Sequence, residues 1–129
     1  MLKSINIKKS RIMKRNILKE KSFSFAVRIV NLYKYLTTTH KEYILSKQIL
    51  RSGTSVGANV RESEFAQSNL DFIHKLSIAQ KEINETMYWL ELLKETHFIK
   101  NEEFESLNNN ALEILKIITS SIKTMKAKN

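Results

Sequence analysis

Apolar residues recur along this chain at helical spacing. Between Ser22 and Thr38, Phe23, Ala26, Val27, Val30 and Tyr33 form one stripe, and Phe25, Ile29, Leu32 and Leu36 form a second. Two stripes predict a helix buried on more than one side. A second helix over about 41–66 carries Leu45, Ile49, Val56 and Val60 on one face. A third, over about 69–96, carries Phe72, Leu76, Ala79, Ile83, Met87 and Leu90 at alternating steps of four and three, the spacing of a bundle seam. A fourth, over about 102–125, turns Phe104, Leu107, Ala111, Ile114, Leu115, Ile118 and Ile122 inward. The β-branched run Thr37–Thr39, with Thr39 and Glu42 spaced as a capping box, closes the first helix and opens the second. Ser68 with Asp71 is a second such box. Short connections between these helices predict an all-α, antiparallel, up-down-up-down four-helix bundle over residues 22–126, behind a basic extension, 1–21, that is disordered or partly helical.

Composition reinforces this. In 129 residues there are no Pro, no Cys and 2 Gly, with 42% hydrophobic and 27% charged residues. One domain of this size buries a real core. Almost nothing remains for hairpins or Gly-rich phosphate loops, and disulfides, thiolate nucleophiles and Cys-ligated metals are excluded. Neither a secretory signal nor an apolar run approaching the ~20 residues of a membrane span is present. The expected location is the cytoplasm.

The net charge of +9 sits at the ends. Residues 1–21 hold eight cations (Lys3, Lys8, Lys9, Arg11, Lys14, Arg15, Lys19 and Lys21) against Glu20 alone, and Lys123, Lys126 and Lys128 add three more. Residues 22–122 hold eleven cations against twelve acids. A cationic arm on a near-neutral body suits a polyanion, with Lys8, Lys9, Arg11, Lys14, Arg15, Lys19 and Lys21 as candidate nucleic-acid contacts; a solubilising tail has the same composition. Translation from Met13 would remove four of these cations.

Both glycines lie in the block Arg51-Ser52-Gly53-Thr54-Ser55-Val56-Gly57-Ala58-Asn59-Val60-Arg61-Glu62. Each costs about 1 kcal/mol in a helix relative to Ala. Four residues apart, they share a face and allow a neighbouring helix to come close; the alternative is a loop that splits the helix. In an antiparallel hairpin turning near Ser68, partner positions sum to about 135. Arg51 then meets Glu82 and Glu85 as an interhelical ion pair, and Asn59 donates a hydrogen bond across the seam near Leu76 and Ser77. The alternative is a set of solvated surface charges. Arg51, Asn59, Glu62, Glu82 and Glu85 form the candidate structural polar motif.

Catalytic candidates are thin. Asp71-Phe72-Ile73-His74 has the carboxylate-x-x-His spacing of a ferritin-like metal helix, but no second such motif accompanies it. His40 and His97 fall at predicted helix ends, where a polar cation-forming side chain suits the helix dipole. Nothing resembles a Ser/His/Asp constellation, so no catalytic, cofactor-binding or metal residues are assigned and no enzyme is expected. Tyr88, Trp89 and Leu92 give the third helix an apolar strip outside its seam, and Phe65 and Phe98 add aromatics near helix ends. This surplus predicts association between copies.

The small-residue block and the segment Phe72–Leu90 together resemble the four-helix-bundle proteins of the 23S rRNA intervening-sequence family. Arg51-Ser52, Ser55-Val56, Ala58-Asn59-Val60 and Glu62 match its second-helix pattern, and Leu76, Ala79, Glu82, Glu85, Tyr88 and Leu90 its third. The resemblance covers about residues 22–99. It implies a helical small-residue block, homo-oligomers that include pentameric rings, no enzymatic activity, and kinship with accessory bundles of diversity-generating retroelements, where a basic surface meets nucleic acid. Gly57 stands where many members have Pro, and Ser63 where they have Gly, which marks a distinct subgroup. The expected function is a homo-oligomeric bundle that binds RNA or a ribonucleoprotein partner through the basic arm and helix ends; the alternative is a protein-interaction scaffold without nucleic-acid contact.

Overall fold

A computed structural model describes residues 2–128; Met1, one of the two candidate start positions, lies outside them. Four helices follow one another, α1 (Leu2–Thr38), α2 (Leu45–Ser63), α3 (Asn69–Glu95) and α4 (Asn101–Lys126). Each packs its backbone closely on two others, α1 and α3 both lying between α2 and α4. This is the antiparallel bundle that the hydrophobic spacing predicts.

The largest departure is the length of α1. Its first 20 residues, expected to be disordered or partly helical, continue the helix without a break. They hold no Gly or Pro, and Lys, Arg, Leu, Met and Ile all tolerate helix well. At 37 residues α1 is about 55 Å long, whereas the 26 residues of α4 span about 39 Å. The surplus stands out from the bundle at the end where α2 finishes, α3 begins and α4 finishes. The buried positions of α1 are Leu18, Ser22, Phe25, Ile29, Leu32 and Leu36, one stripe at steps of four and three. The other expected stripe reaches no core position: Phe23 is 58% and Val27 46% exposed, and Ala26, Val30 and Tyr33 are half-buried. Helix α1 is therefore buried on one side only, because only two helices flank it.

The small-residue block is helical throughout, inside α2, which rules out a loop there. Its glycines face α1. A Cβ on Gly53 would lie 2.8 Å from both Cγ atoms of Ile29, and one on Gly57 would lie 3.2 Å from the Ser22 carbonyl oxygen. The two axes come this close because both positions lack a side chain.

With the glycines spent inside a helix, the turns are built from ordinary residues. Lys41 (φ 54°) and His97 (φ 66°) adopt the left-handed conformation usually given to Gly after a helix C-terminus. Behind His97, the amide of Phe98 reaches back to the Leu93 carbonyl at 2.9 Å. Ser68 caps α3 as predicted, accepting from the Asp71 amide at 3.1 Å.

The start of α2 is arranged differently from the expected Thr39 box. Thr39 still belongs to the end of α1, its amide donating to Tyr35 at 2.9 Å. The Glu42 carboxylate instead accepts the amides of Ile44, Leu45 and Ser46, at 3.2, 3.1 and 2.8 Å. Partial burial pushes the Glu42 pKa up, but the hydrogen bonds from Leu45, Ser46 and Ile44 outweigh it and hold the carboxyl below its ordinary 4.5. A depressed carboxylate stabilises the fold above its unfolded pKa and loses that contribution as pH falls through the folded value. Glu42→Ala should thus cost about 1 kcal/mol at neutral pH, with the gap from wild type closing below the ordinary carboxylate range; urea midpoints across pH measure it.

Candidate functional site

The cations of the extension divide into two sets. Lys19 and Lys21, nearest the core, are paired with acids of the neighbouring helices: Lys19 lies 3.6 Å from Glu64 and Lys21 2.7 Å from Glu113. They clamp α1 to the end of α2 and the flank of α4, each worth under about 1 kcal/mol in solvent. Arg11, Lys14 and Arg15 have no carboxylate within 4.0 Å among the described residues. Spaced i, i+3 and i+4, they share a face of the helix. That face is the one which, further along, becomes the buried stripe through Leu18 and Ser22.

Where the stripe leaves the bundle its residues turn from apolar to cationic, and they border a cleft of about 300 Å³ between α1 and the last turns of α4. Lys14 donates to the Ser120 hydroxyl. The Arg15 guanidinium lies over the Phe72 ring, 5.0 Å from its centroid, at the first turn of α3. Ser10, Ser121 and Thr124 add hydroxyls, and Ile7, Phe72 and Met125 make the apolar walls; no acid lines the cleft. Lys8 and Lys9 lie further out, exposed, and do not border it.

The polar motif of α2 and α3 sits on a different flank. Arg51 donates to Glu82 at 3.1 Å and also to Glu85. Desolvation pulls the Arg51 pKa down, but the fields of Glu82 and Glu85 outweigh it and raise it. Glu85 in turn accepts from the Trp89 indole at 3.1 Å, so Trp89 is half-buried and fixed to the ion pair rather than free on the surface. Tyr88 packs edge-on against it, with ring centroids 5.0 Å apart, and stays 59% exposed; Leu92 is half-buried. Glu62 pairs with Lys75 at 3.2 Å across the same hairpin.

Asn59 does not bridge the helices. Its amide turns back one turn of its own helix to the Ser55 carbonyl at 2.9 Å and hydroxyl at 3.1 Å. The cross-seam hydrogen bond belongs to residues that the sequence reading left out. The Thr86 hydroxyl, fully buried, lies 2.9 Å from that of Ser52, also fully buried, and donates to the Glu82 carbonyl at 2.8 Å. Hydroxyls at a seam carry no charge pattern, and only the pairing register could have singled them out. Thr86→Val keeps the shape but strips Ser52 of that partner, an expected loss of about 1–3 kcal/mol, to be read from the urea midpoint beside an exposed control such as Thr119→Val.

The remaining chemistry is spent on structure. Asp71 accepts the Gln67 amide at 3.2 Å, and His74 is exposed. No group of three or more metal-ligating side chains occurs among the described residues. The His40 ring nitrogen lies 2.9 Å from the Tyr35 hydroxyl, and its ring packs edge-on to Phe98, tying together the two turns at the opposite end of the bundle. Among the described residues no helix is long and apolar enough to cross a membrane.

Compared with known proteins, residues 14–120 match the family model for the 23S rRNA-intervening sequence protein. A solved structure, that of a protein of unknown function from the S23 ribosomal protein family of Bacteroides thetaiotaomicron, is 62% identical and superposes with a TM-score of 0.84, covering 85% of this chain and 98% of that one. No curated protein matches. Of the three cleft cations, Lys14 and Arg15 fall inside the matched stretch and Arg11 outside it.

Proposed function

Because the chain belongs to the family of 23S rRNA-intervening sequence proteins, we propose that it is a non-enzymatic bundle that associates with copies of itself and binds RNA, or a ribonucleoprotein partner, through its basic extension and the adjoining helix ends. One observation carries this reading: six extension cations, Lys3, Lys8, Lys9, Arg11, Lys14 and Arg15, have no carboxylate within ion-pair distance among the described residues, while residues 22–122 are near neutral, with eleven cations against twelve acids. Charge left unneutralised on one rigid element favours a polyanion over an acidic patch of the same chain. Association multiplies it. A ring of copies, pentameric in the form the resemblance implies, sets several extensions side by side and turns weak phosphate contacts into a polyvalent surface. Exposed Tyr88 beside Trp89 and Leu92 supplies apolar area for contact between copies.

Light scattering on the full chain and on a version starting at Met13, each with and without a defined single-stranded RNA, tests both halves. The expected result is a multimer whose mass rises with RNA for the full chain and much less for the shortened one. A multimer indifferent to RNA in both forms sinks the RNA reading and favours a protein scaffold that uses the Tyr88, Trp89 and Leu92 strip. A monomer sinks the assembly.

A further inference from the structure

We propose that the cleft between the extension and the end of α4 is a binding site for a single phosphate group, with Arg11, Lys14 and Arg15 as its charged ligands. The partner, a polynucleotide, rests on the RNA reading above; the site itself rests on geometry. Three cations spaced i, i+3 and i+4 point from one helix face toward a cleft of about 300 Å³ that no acid lines. Such a grouping repels itself and gains from a dianion or a phosphodiester placed between its members.

The three have different parts to play. Lys14 already donates to the Ser120 hydroxyl, a neutral partner that orients the ammonium without cancelling its charge. The Arg15 guanidinium lies over the Phe72 ring, 5.0 Å from its centroid, a partner that carries no negative charge and leaves the N–H groups to donate in the paired geometry that phosphate oxygens accept. Arg11, one turn outward, closes the third side, and the Thr124 hydroxyl, without a partner among the described residues, adds a neutral donor from α4. Ile7, the exposed apolar residue of the cleft wall, would face a base or sugar attached to that phosphate.

The contrast with Lys19 and Lys21 argues against a general solubilising role. The two cations closest to acids on neighbouring helices are paired with them, and the three that border the cleft are not. A diffuse basic tail would not sort its charges by position along one helix.

The test compares two variants of equal charge: Arg11→Gln/Lys14→Gln, in the cleft, and Lys3→Gln/Lys8→Gln, outside it. Lys3 and Lys8 are exposed, Arg11 and Lys14 half-buried at the cleft, and circular dichroism checks that both variants remain helical. Binding of a 5′-labelled single-stranded RNA should weaken about ten-fold or more in the cleft variant and only about two- to three-fold in the outer one. In the wild-type full chain, inorganic phosphate should shift the amide resonances around Lys14, Ser121 and Thr124, and leave those around Lys3 and Lys8 in place. Equal weakening in the two variants overturns the cleft and leaves RNA binding by diffuse charge. Phosphate shifts in the cleft without RNA binding sustain the site and assign it to a small phosphorylated ligand, at the expense of the RNA reading. Absence of phosphate shifts overturns the site outright.

Discussion

Gly53→Val should lower the unfolding free energy by about 3 kcal/mol or more, a large share of the ~5–15 kcal/mol that holds a domain together. The new Cβ alone would lie 2.8 Å from Cγ1 and Cγ2 of Ile29 and 3.2 Å from its Cβ. Ile29 is fully buried and, being β-branched on a helix, has essentially one rotamer, so it cannot step aside. Relief requires α1 to move away from α2, and with it the row of side chains from Ser22 to Leu36 that the two helices share with the core. The gain of about 1 kcal/mol from replacing a helical Gly, nearly all of which Ala would realise, does not offset this. Gly57→Ala is the informative companion, since its Cβ would meet the Ser22 carbonyl at 3.2 Å, a contact that a few tenths of an ångström would relax. Urea midpoints should therefore fall steeply for the first change and little for the second; an unchanged midpoint for Gly53→Val would refute the close approach of α1 to α2.

Affinity for single-stranded RNA should fall a few hundred-fold per binding unit between 50 and 200 mM salt, if all six unpaired cations of the extension engage phosphates. The estimate follows from the release of about 0.7 counterion per phosphate neutralised on a single strand. The three cleft cations alone would give a fall of about 20-fold over the same range, so the slope of log affinity against log salt counts how many of the six take part. Lys19 and Lys21 should add little, because binding RNA would first require breaking their pairs with Glu64 and Glu113. An affinity that hardly changes with salt would contradict a phosphate-driven mode and direct attention to the apolar strip at Tyr88.

Much of this architecture is legible in the residues, and the misses are specific. The seam of α3 and the Ser68 cap are local patterns with one structural solution. The Arg51, Glu82 and Glu85 network follows from hairpin register, because a five-residue connection, 64–68, fixes which levels of α2 and α3 meet. Asn59 escapes the same arithmetic, for its amide has a closer partner one turn back on its own helix, and a local hydrogen bond competes with any distant one. Ser52 and Thr86 sit at the correct level but give no sign of polarity strong enough to notice. The helical extension was hidden for another reason. Its apolar residues, Leu2, Ile5, Ile7, Ile12, Met13 and Ile17, are all exposed, and the cations set among them give the segment the composition of a solvated tail rather than of a packed helix. The cleft could be assembled only once the helix was known to run straight on from Leu18, since that continuation places Arg11, Lys14 and Arg15 above the core stripe.

The same continuity gives α1 two lifetimes within a single unbroken rod. From Leu18 to Leu36 one face is locked into the packed interior, and the amides on that face should exchange with deuterium only when the whole domain opens. From Leu2 to Ser10 every residue is exposed, and the backbone bonds are guarded by nothing but the turn before them. Those amides should exchange orders of magnitude faster, and a bound partner would register first as a slowing of that clock, well before any change in the stability of the bundle beneath it.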